Sequence, residues 1–512
     1  MRHAMNFMPS ASRRAAPVSI MSATLDNRLS PRQILTPSGV EIAITAVATI
    51  FAAIGYIYGG ALIMLTNYIV PTILISGLLL GGLQLVMRDI SSIWSPLFWN
   101  RVVLVAYFGV GSIVPLFVNN ETQNLLEAFY QFFPEDVGKY NLVVCTFILF
   151  YFGFISIILR ISENLKVTDK NFEPSRISEL YIGLILLIIG LIIYYFIIIP
   201  NSFSIYRVEV PNLVIEIGQG IYIGIFLMSL WALKNKSNII YLIYFIVFVQ
   251  FSLGVLELNK STSMFPLIML ALGHIYYKPD VRRITLWFAG LISIFLIIAP
   301  PVSHGRAYGD FVATSDGPIS FDVRTNALLS YFDADSELEQ SELQVGWVRL
   351  SYVNAATFAI SQYDGGNPGD SLRNVFIVWI PRFLYPDKPA ITDVAKDFNL
   401  AATGTDTSQS TPGIIGESYW VMGWFGVFLF SAIMATISTL WSVYTISVLR
   451  SGAWHLFFIV LLGMRAGSRM DGMFVSDVMG PLGYALLGHF VLQFLNRLLA
   501  ERRNPAGKRL AA

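Results

Sequence analysis

The chain has 512 residues, 55% of them hydrophobic and 13% charged, with a mean hydropathy of +0.62. Soluble domains carry roughly 25% charged residues and disorder needs low hydrophobicity with high charge, so both classes are excluded. The 34 basic and 33 acidic residues leave no excess of positive charge for a nucleic-acid partner, and the single cysteine, Cys145, forbids an intramolecular disulfide.

What remains is an all-α polytopic membrane protein. Residues 1–38 are basic and Ser-rich and lack the apolar core of a signal peptide, which predicts a disordered cytoplasmic tail. A spanning helix needs about 20 apolar residues. Twelve runs approach this: 40–58, 67–87, 102–118, 141–159, 180–199, 213–233, 239–256, 264–277, 284–300, 413–443, 454–470 and 478–496. The eighth is short, the tenth long, and the eleventh ends in Arg465 and Arg469. The domain plan is therefore a tail (1–38), nine spans (39–300), a large loop (301–412), three spans (413–496) and a basic cytoplasmic tail (497–512).

Lysine and arginine set the orientation. The side of the termini carries 22 of them, and the opposite side, with the long loop set aside, carries 5. Cytoplasmic loops hold the excess, so both termini are predicted in the cytoplasm and 301–412 outside. That loop has 112 residues, 7 basic and 14 acidic. Loops of such length usually serve a function. Within it, Trp347, Leu350, Val353, Ala356 and Ile360 recur at helical spacing and predict a helix over 345–361. The run SLRNVFIVWIPRFLYPDKP (371–389) suits a helix lying at the outer membrane face. Residues 390–412, rich in Thr, Ser, Asp and Gly, predict a mobile segment.

No HExxH, paired CxxC or GxxxxGK[ST] occurs, so zinc protease, structural zinc and P-loop chemistry are excluded and no metal or cofactor is expected. Asp333 and Asp335 belong to a solvated acidic run. His274 and His489 lie in apolar spans and suit hydrogen-bonded core histidines. Exterior cations are few. Arg382 and Lys388 at the Pro-rich turn, with Arg207 and Arg306, are candidates for holding a phosphate, because a guanidinium matches phosphate oxygens bidentately. Arg349, Arg373, Arg465 and Arg469 are further candidates. Pairing with neighbouring acids or snorkelling to headgroups explains any of them equally. His304 in PPVSHGR and Glu417 in TPGIIGESYW, both where the exterior loop meets a span, are candidates for the proton acceptor of a sugar hydroxyl.

IPRFLYPDKP (380–389) followed by TPGIIGESYWVMGWFGVFLF (411–430) resembles the Wzy-type O-antigen and exopolysaccharide polymerases. LNKSTS (258–263) is similar to that family's short Gly/Ser-Arg segment, with Lys260 where arginine is usual. The resemblance implies transfer of a polysaccharide from undecaprenyl pyrophosphate onto a new lipid-linked oligosaccharide repeat unit. The site would lie on the periplasmic face of the bacterial inner membrane, without nucleotide or cofactor. It implies lipid-linked repeat units, membrane lipids, a chain-length regulator and a flippase as partners. An O-antigen ligase, with the same donor and a lipid A core acceptor, and a transporter or flippase of lipid-linked sugars are the competing readings.

Overall fold

The first long helix starts where the Glu41 N–H donates to Ser38 Oγ (3.0 Å) and runs over Gly39–Tyr58, a side-chain cap followed by 20 mostly apolar residues. The computed structural model describes residues 29–117, 136–164, 172–175, 177–203, 205, 210–316, 321–333, 350–380, 384–389, 393–404 and 410–503. Among them every regular element is helical. Ten helices among the described residues are long and apolar enough to cross a membrane: Pro31–Tyr58, Leu65–Arg88, Pro96–Ile113, Asp136–Asn164, Glu179–Ser202, Leu213–Lys234, Ile239–Leu256, Val281–Arg306, Gly413–Ser451 and Phe474–Leu498. The chain is thus an all-α, multi-pass membrane protein. The two other runs read from the sequence form the helices Lys260–Tyr277 and Trp454–Gly467. At 1.5 Å per residue the second is roughly 21 Å long, less than a bilayer core.

Between apolar helices in lipid, close packing replaces the hydrophobic drive, so small residues mark the contacts. Glu179–Ile193 and Gly220–Lys234 meet this way: a Cβ on Gly224 would stand 2.8 Å from the Gly183 carbonyl oxygen. Gly220–Lys234 is enclosed on nearly every side, and Trp94, Phe226 and Phe457 pack ring to ring at 4.5–4.8 Å beside it. Val281–Asp316 lies at the other extreme, with no buried residue in its apolar window, as befits a helix facing lipid. Pro300 and Pro301 do not end this helix at 300, as the sequence suggested, and it continues to Asp316. A membrane-spanning helix tolerates proline because neighbouring groups re-satisfy the freed carbonyls.

The long run Gly413–Ser451 consists of two helices. It breaks at Met422 (φ −142°) and Gly423 (φ +60°, ψ −142°). The half before the break is buried from Gly413 to Trp420 and packs on Val353–Asp364, whose residues 353–360 are all buried. The predicted helix at 345–361 is therefore displaced. Residues 345–349 lie outside the described residues, and the helix extends to Asp364, packed into the bundle. Tyr419 OH donates to Asp364 Oδ1 (3.1 Å), and Lys139 pairs with the other oxygen, tying Asp136–Asn164 to it.

Two further expectations for 371–412 are corrected. Among the described residues of the 371–389 run, the helical elements are the short turns Ser371–Asn374 and Ile377–Trp379; the closely spaced prolines of this sequence disfavour a longer helix. The supposedly mobile stretch holds the helix Asp393–Thr403, which buries Val394, Ala395, Phe398 and Ala402. Phe398 meets Phe358 at 5.9 Å and Trp420 at 5.2 Å, and Arg373 pairs with Asp397.

Gly423 carries a testable consequence. A Cβ there would stand 2.6 Å from the Tyr363 ring in a backbone that L-residues adopt at a cost. Gly423→Ala is expected to destabilise the protein by roughly 2–5 kcal/mol, read as a lower unfolding temperature in detergent. Adding Tyr363→Ala should recover the steric part and leave the backbone part. Equal unfolding of Gly423→Ala and wild type would dismiss the break as a structural requirement.

Candidate functional site

Where Glu179–Ser202, Leu213–Lys234 and Ile239–Leu256 end near the helix Phe321–Asp333, a cavity of about 630 Å³ opens. One wall carries Tyr194, Ser202, Glu257 and Arg324, and another carries Tyr107, Arg465, Ser468, Arg469 and Asp471. Tyr222, Phe265, Asn259, Ser261 and Thr262 complete the lining. Two departures from α-helix contribute to it. Tyr107 lies in the π-helical stretch Leu104–Val110, and Tyr194 and Ile198 lie in Tyr194–Ile198. A third, Phe474–Met479, follows the turn that carries Arg469 and Asp471. Such bulges occur frequently at functional sites.

The Glu257 wall is built by arginines acting on helix ends. The last carbonyls of a helix have no partner within it. Arg324 donates to the Glu257 carbonyl (2.9 Å) and the Ser202 carbonyl (2.7 Å), and Arg306 donates to the Leu258 carbonyl (2.6 Å). Leu258 is held at φ +56°, a left-handed conformation unusual for a branched residue. Asn259 then caps the next helix, accepting the Ser261 and Thr262 N–H groups at 3.0 and 3.3 Å. The Glu257 carboxylate accepts from Tyr194 OH (2.9 Å) and Ser202 Oγ (3.2 Å). Burial pushes its pKa up, while those hydrogen bonds and the Arg324 charge pull it back.

The opposite wall is a turn inserted between helices. Trp454–Gly467 stops early, and residues 468–473 cross to Phe474 without regular structure. Irregular backbone at membrane depth is tolerated where it is buried in protein or lines a cavity. Several contacts pin it: Thr411 Oγ1 donates to the Asp471 carbonyl (2.6 Å), Ile414 N–H to the Met470 carbonyl (3.0 Å), and Tyr352 OH to Asp471 Oδ2 (3.3 Å). Arg465 pairs with Glu216 (3.0 Å) and donates to Gln219. Arg469 is exposed to the cavity, and among the described residues its guanidinium makes no hydrogen bond. Burial raises the Asp471 pKa, opposed by the neighbouring Arg469 charge. Among the described residues no group of three or more His, Cys, Asp or Glu could hold a metal ion.

The residues singled out in the sequence fall elsewhere. Arg207 and Arg382 lie outside the described residues, as do Arg349 and Asp335. Lys388 donates to the Val378 and Ile380 carbonyls (2.7 and 3.0 Å). Arg306 braces the Leu258 carbonyl behind the wall, and His304 meets Ser330 Oγ at 3.1 Å, neither lining the cavity. Glu417 lies away from the cavity lining: it has no exposed surface, and its Oε2 accepts the Phe474 N–H at 2.7 Å, at the helix start that follows the 468–473 turn. His274 and His489 meet the hydroxyls of Tyr244 (3.1 Å) and Tyr444 (3.0 Å).

Sequence reasoning weighed Arg465 and Arg469 only as further candidates and missed Glu257, Arg324 and Asp471. The available signal was charge at the margin of apolar runs: Glu257 directly after 239–256, and Arg465, Arg469 and Asp471 within seven residues at the end of the run 454–470.

The sequence profile of DUF8712, described as a domain of unknown function, matches residues 82–449, more than half of the chain, which therefore belongs to that family. No curated protein and no solved structure matches it.

Proposed function

We propose that this member of the DUF8712 family polymerises lipid-linked oligosaccharide repeat units, the donor being a saccharide on undecaprenyl pyrophosphate. The observation that carries this reading is the cavity, which Arg465 and Arg469 line together with Glu257 and several hydroxyl-bearing side chains. The acceptor hydroxyl attacks the anomeric carbon, the bond from that carbon to the phosphate oxygen breaks, and the electron pair leaves on the diphosphate. Fixed cations stabilise charge that develops at that moment. Arg469, with no hydrogen bond of its own among the described residues, serves the diphosphate directly, and Arg382 and Arg207 are carried as additional cations for it. The resemblance of 380–430 to the Wzy-type polymerases supports the same reaction.

The reading includes twelve spans in a bacterial inner membrane, both termini in the cytoplasm, and 301–412 in the periplasm. Arg324, within 301–412, lines the cavity, which supports a reaction on the periplasmic side. A flippase supplying repeat units and a chain-length regulator are the partners such a reaction calls for. Topology is tested by cysteine labelling at Ser315 and Ser237. A membrane-impermeant reagent is expected to reach position 315 and not 237 in intact cells, and the reverse pattern overturns the orientation. The activity is tested with purified protein and one defined lipid-linked repeat unit. A ladder of lipid-linked polymers supports the proposal. Transfer only to a lipid A core would make the protein a ligase, and no transfer to either would end the reading.

A further inference from the structure

The cavity contains two carboxylates, Glu257 and Asp471, and they stand in different surroundings. Asp471 is two residues from Arg469 on the same turn, its Oδ2 takes Tyr352 OH, and its carbonyl is held by Thr411. An anion there neutralises and orients the cation that meets the diphosphate, and it would repel a second anion. Glu257 ends a different helix. Each of its oxygens accepts one hydroxyl, from Tyr194 and from Ser202. A carboxylate has about four lone-pair sites, so capacity remains for one more hydroxyl. Asn259 and the start of the helix it caps line the cavity with the Asn259 amide and the Ser261 and Thr262 hydroxyls, and the Tyr222 and Phe265 rings lie 5.1 Å apart beside them. Hydroxyls, an amide and aromatic faces are what a sugar ring needs for orientation.

We infer that Glu257 takes the proton of the acceptor sugar hydroxyl, with the acceptor seated on the wall formed by Glu257, Asn259 and the first turns of the helix Lys260–Tyr277. This rests on the glycosyl-transfer reading above. The hydroxyl oxygen forms its bond to the anomeric carbon, its proton passes to the Glu257 carboxylate, and the diphosphate leaves towards Arg469. The proton returns to water after product release. Arg324 is a positioning residue here: by holding the Glu257 and Ser202 carbonyls it fixes the carboxylate relative to Tyr194.

The inference predicts a pH dependence. The base acts only when ionised, so the rate falls as pH drops through the Glu257 pKa, which burial places above the ordinary carboxylate range. Burial raises it, opposed by the hydroxyls of Tyr194 and Ser202 from Glu179–Ser202 and by the Arg324 charge from Phe321–Asp333; Tyr222 from Gly220–Lys234 lies within electrostatic reach of the same carboxylate, and Arg306 bonds the neighbouring Leu258 carbonyl.

The test uses the full chain in lipid nanodiscs with one defined lipid-linked repeat unit, comparing wild type, Glu257→Gln and Asp471→Asn across pH at matched abundance. Glu257→Gln is expected to lose about 10²–10⁴-fold in rate, the range for one general base, and its residual rate should lack the acid fall-off. Asp471→Asn should keep that fall-off. Near wild-type rates in Glu257→Gln overturn the inference, and so does a loss that leaves the acid fall-off in place, because a structural role alone gives that result. Should Glu257→Gln fail to accumulate, Glu257→Asp decides. Its carboxylate on a shorter arm is expected to move the midpoint of the fall-off, and an unmoved midpoint overturns the assignment. A wild type that transfers nothing removes the glycosyl-transfer reading itself, a result distinct from an active enzyme indifferent to Glu257.

Discussion

Replacing Arg469 with alanine is expected to lower the polymerisation rate by about 10²–10³ while the protein still inserts and folds. The size follows from removal of a single oxyanion donor, about 2.7–4 kcal/mol of transition-state stabilisation. Folding should survive because the guanidinium is exposed and, among the described residues, makes no hydrogen bond, while the turn is held through Met470, Asp471 and Phe474. Arg469→Lys should recover only part of the rate, since the charge stays and the two-pronged fork is lost. Arg465→Ala is a less clean test, because Arg465 also bonds Glu216 and Gln219. Polymer length and initial rate at matched membrane abundance are the measurements. A wild-type rate in Arg469→Ala would remove this cavity as the place where the diphosphate leaves.

The largest expected effect on stability lies at the other end of the bundle. Arg101 and Glu41 are each 1% exposed and pair twice, Nε to Oε1 at 2.7 Å and Nη2 to Oε2 at 3.1 Å. A third donor of Arg101 bonds the Leu97 carbonyl (2.8 Å), and the guanidinium lies 5.1 Å from the Phe152 ring centre. Removing one partner of a buried pair leaves the other charge uncompensated, at about 3–5 kcal/mol. Arg101→Ala is therefore expected to unfold at a clearly lower temperature in detergent or to accumulate poorly. Arg101→Met with Glu41→Leu should recover much of the loss, because an apolar pair of similar volume carries no buried charge. If the double variant were no better than the single one, the loss would come from missing packing contacts.

The sequence by itself determined the helical, membrane-spanning character of this protein, for a simple reason. Runs of about 20 apolar residues have few stable alternatives in a bilayer, where backbone groups must be satisfied within each segment. It also marked where the regular pattern fails: the overlong run beginning at 413 and the charged end of the run at 454. Both irregularities have a structural cause, the break at Gly423 and the early stop at Gly467. The helix Asp393–Thr403 was legible in principle, since Val394, Phe398 and Ala402 recur at four-residue intervals, but polar residues between them masked the stripe. Tertiary structure alone decided which charges share a cavity. Glu257, Arg324 and Arg469 are separated by 67 and 145 positions, and nothing local records that Arg324 reaches back to the Glu257 carbonyl. It alone placed Glu417 as well. At the start of a span its carboxylate reads equally as an exposed base or as a cap. Only the fold brings the Phe474 N–H, 57 residues on, to that carboxylate, and a buried carboxylate persists where donors come to it.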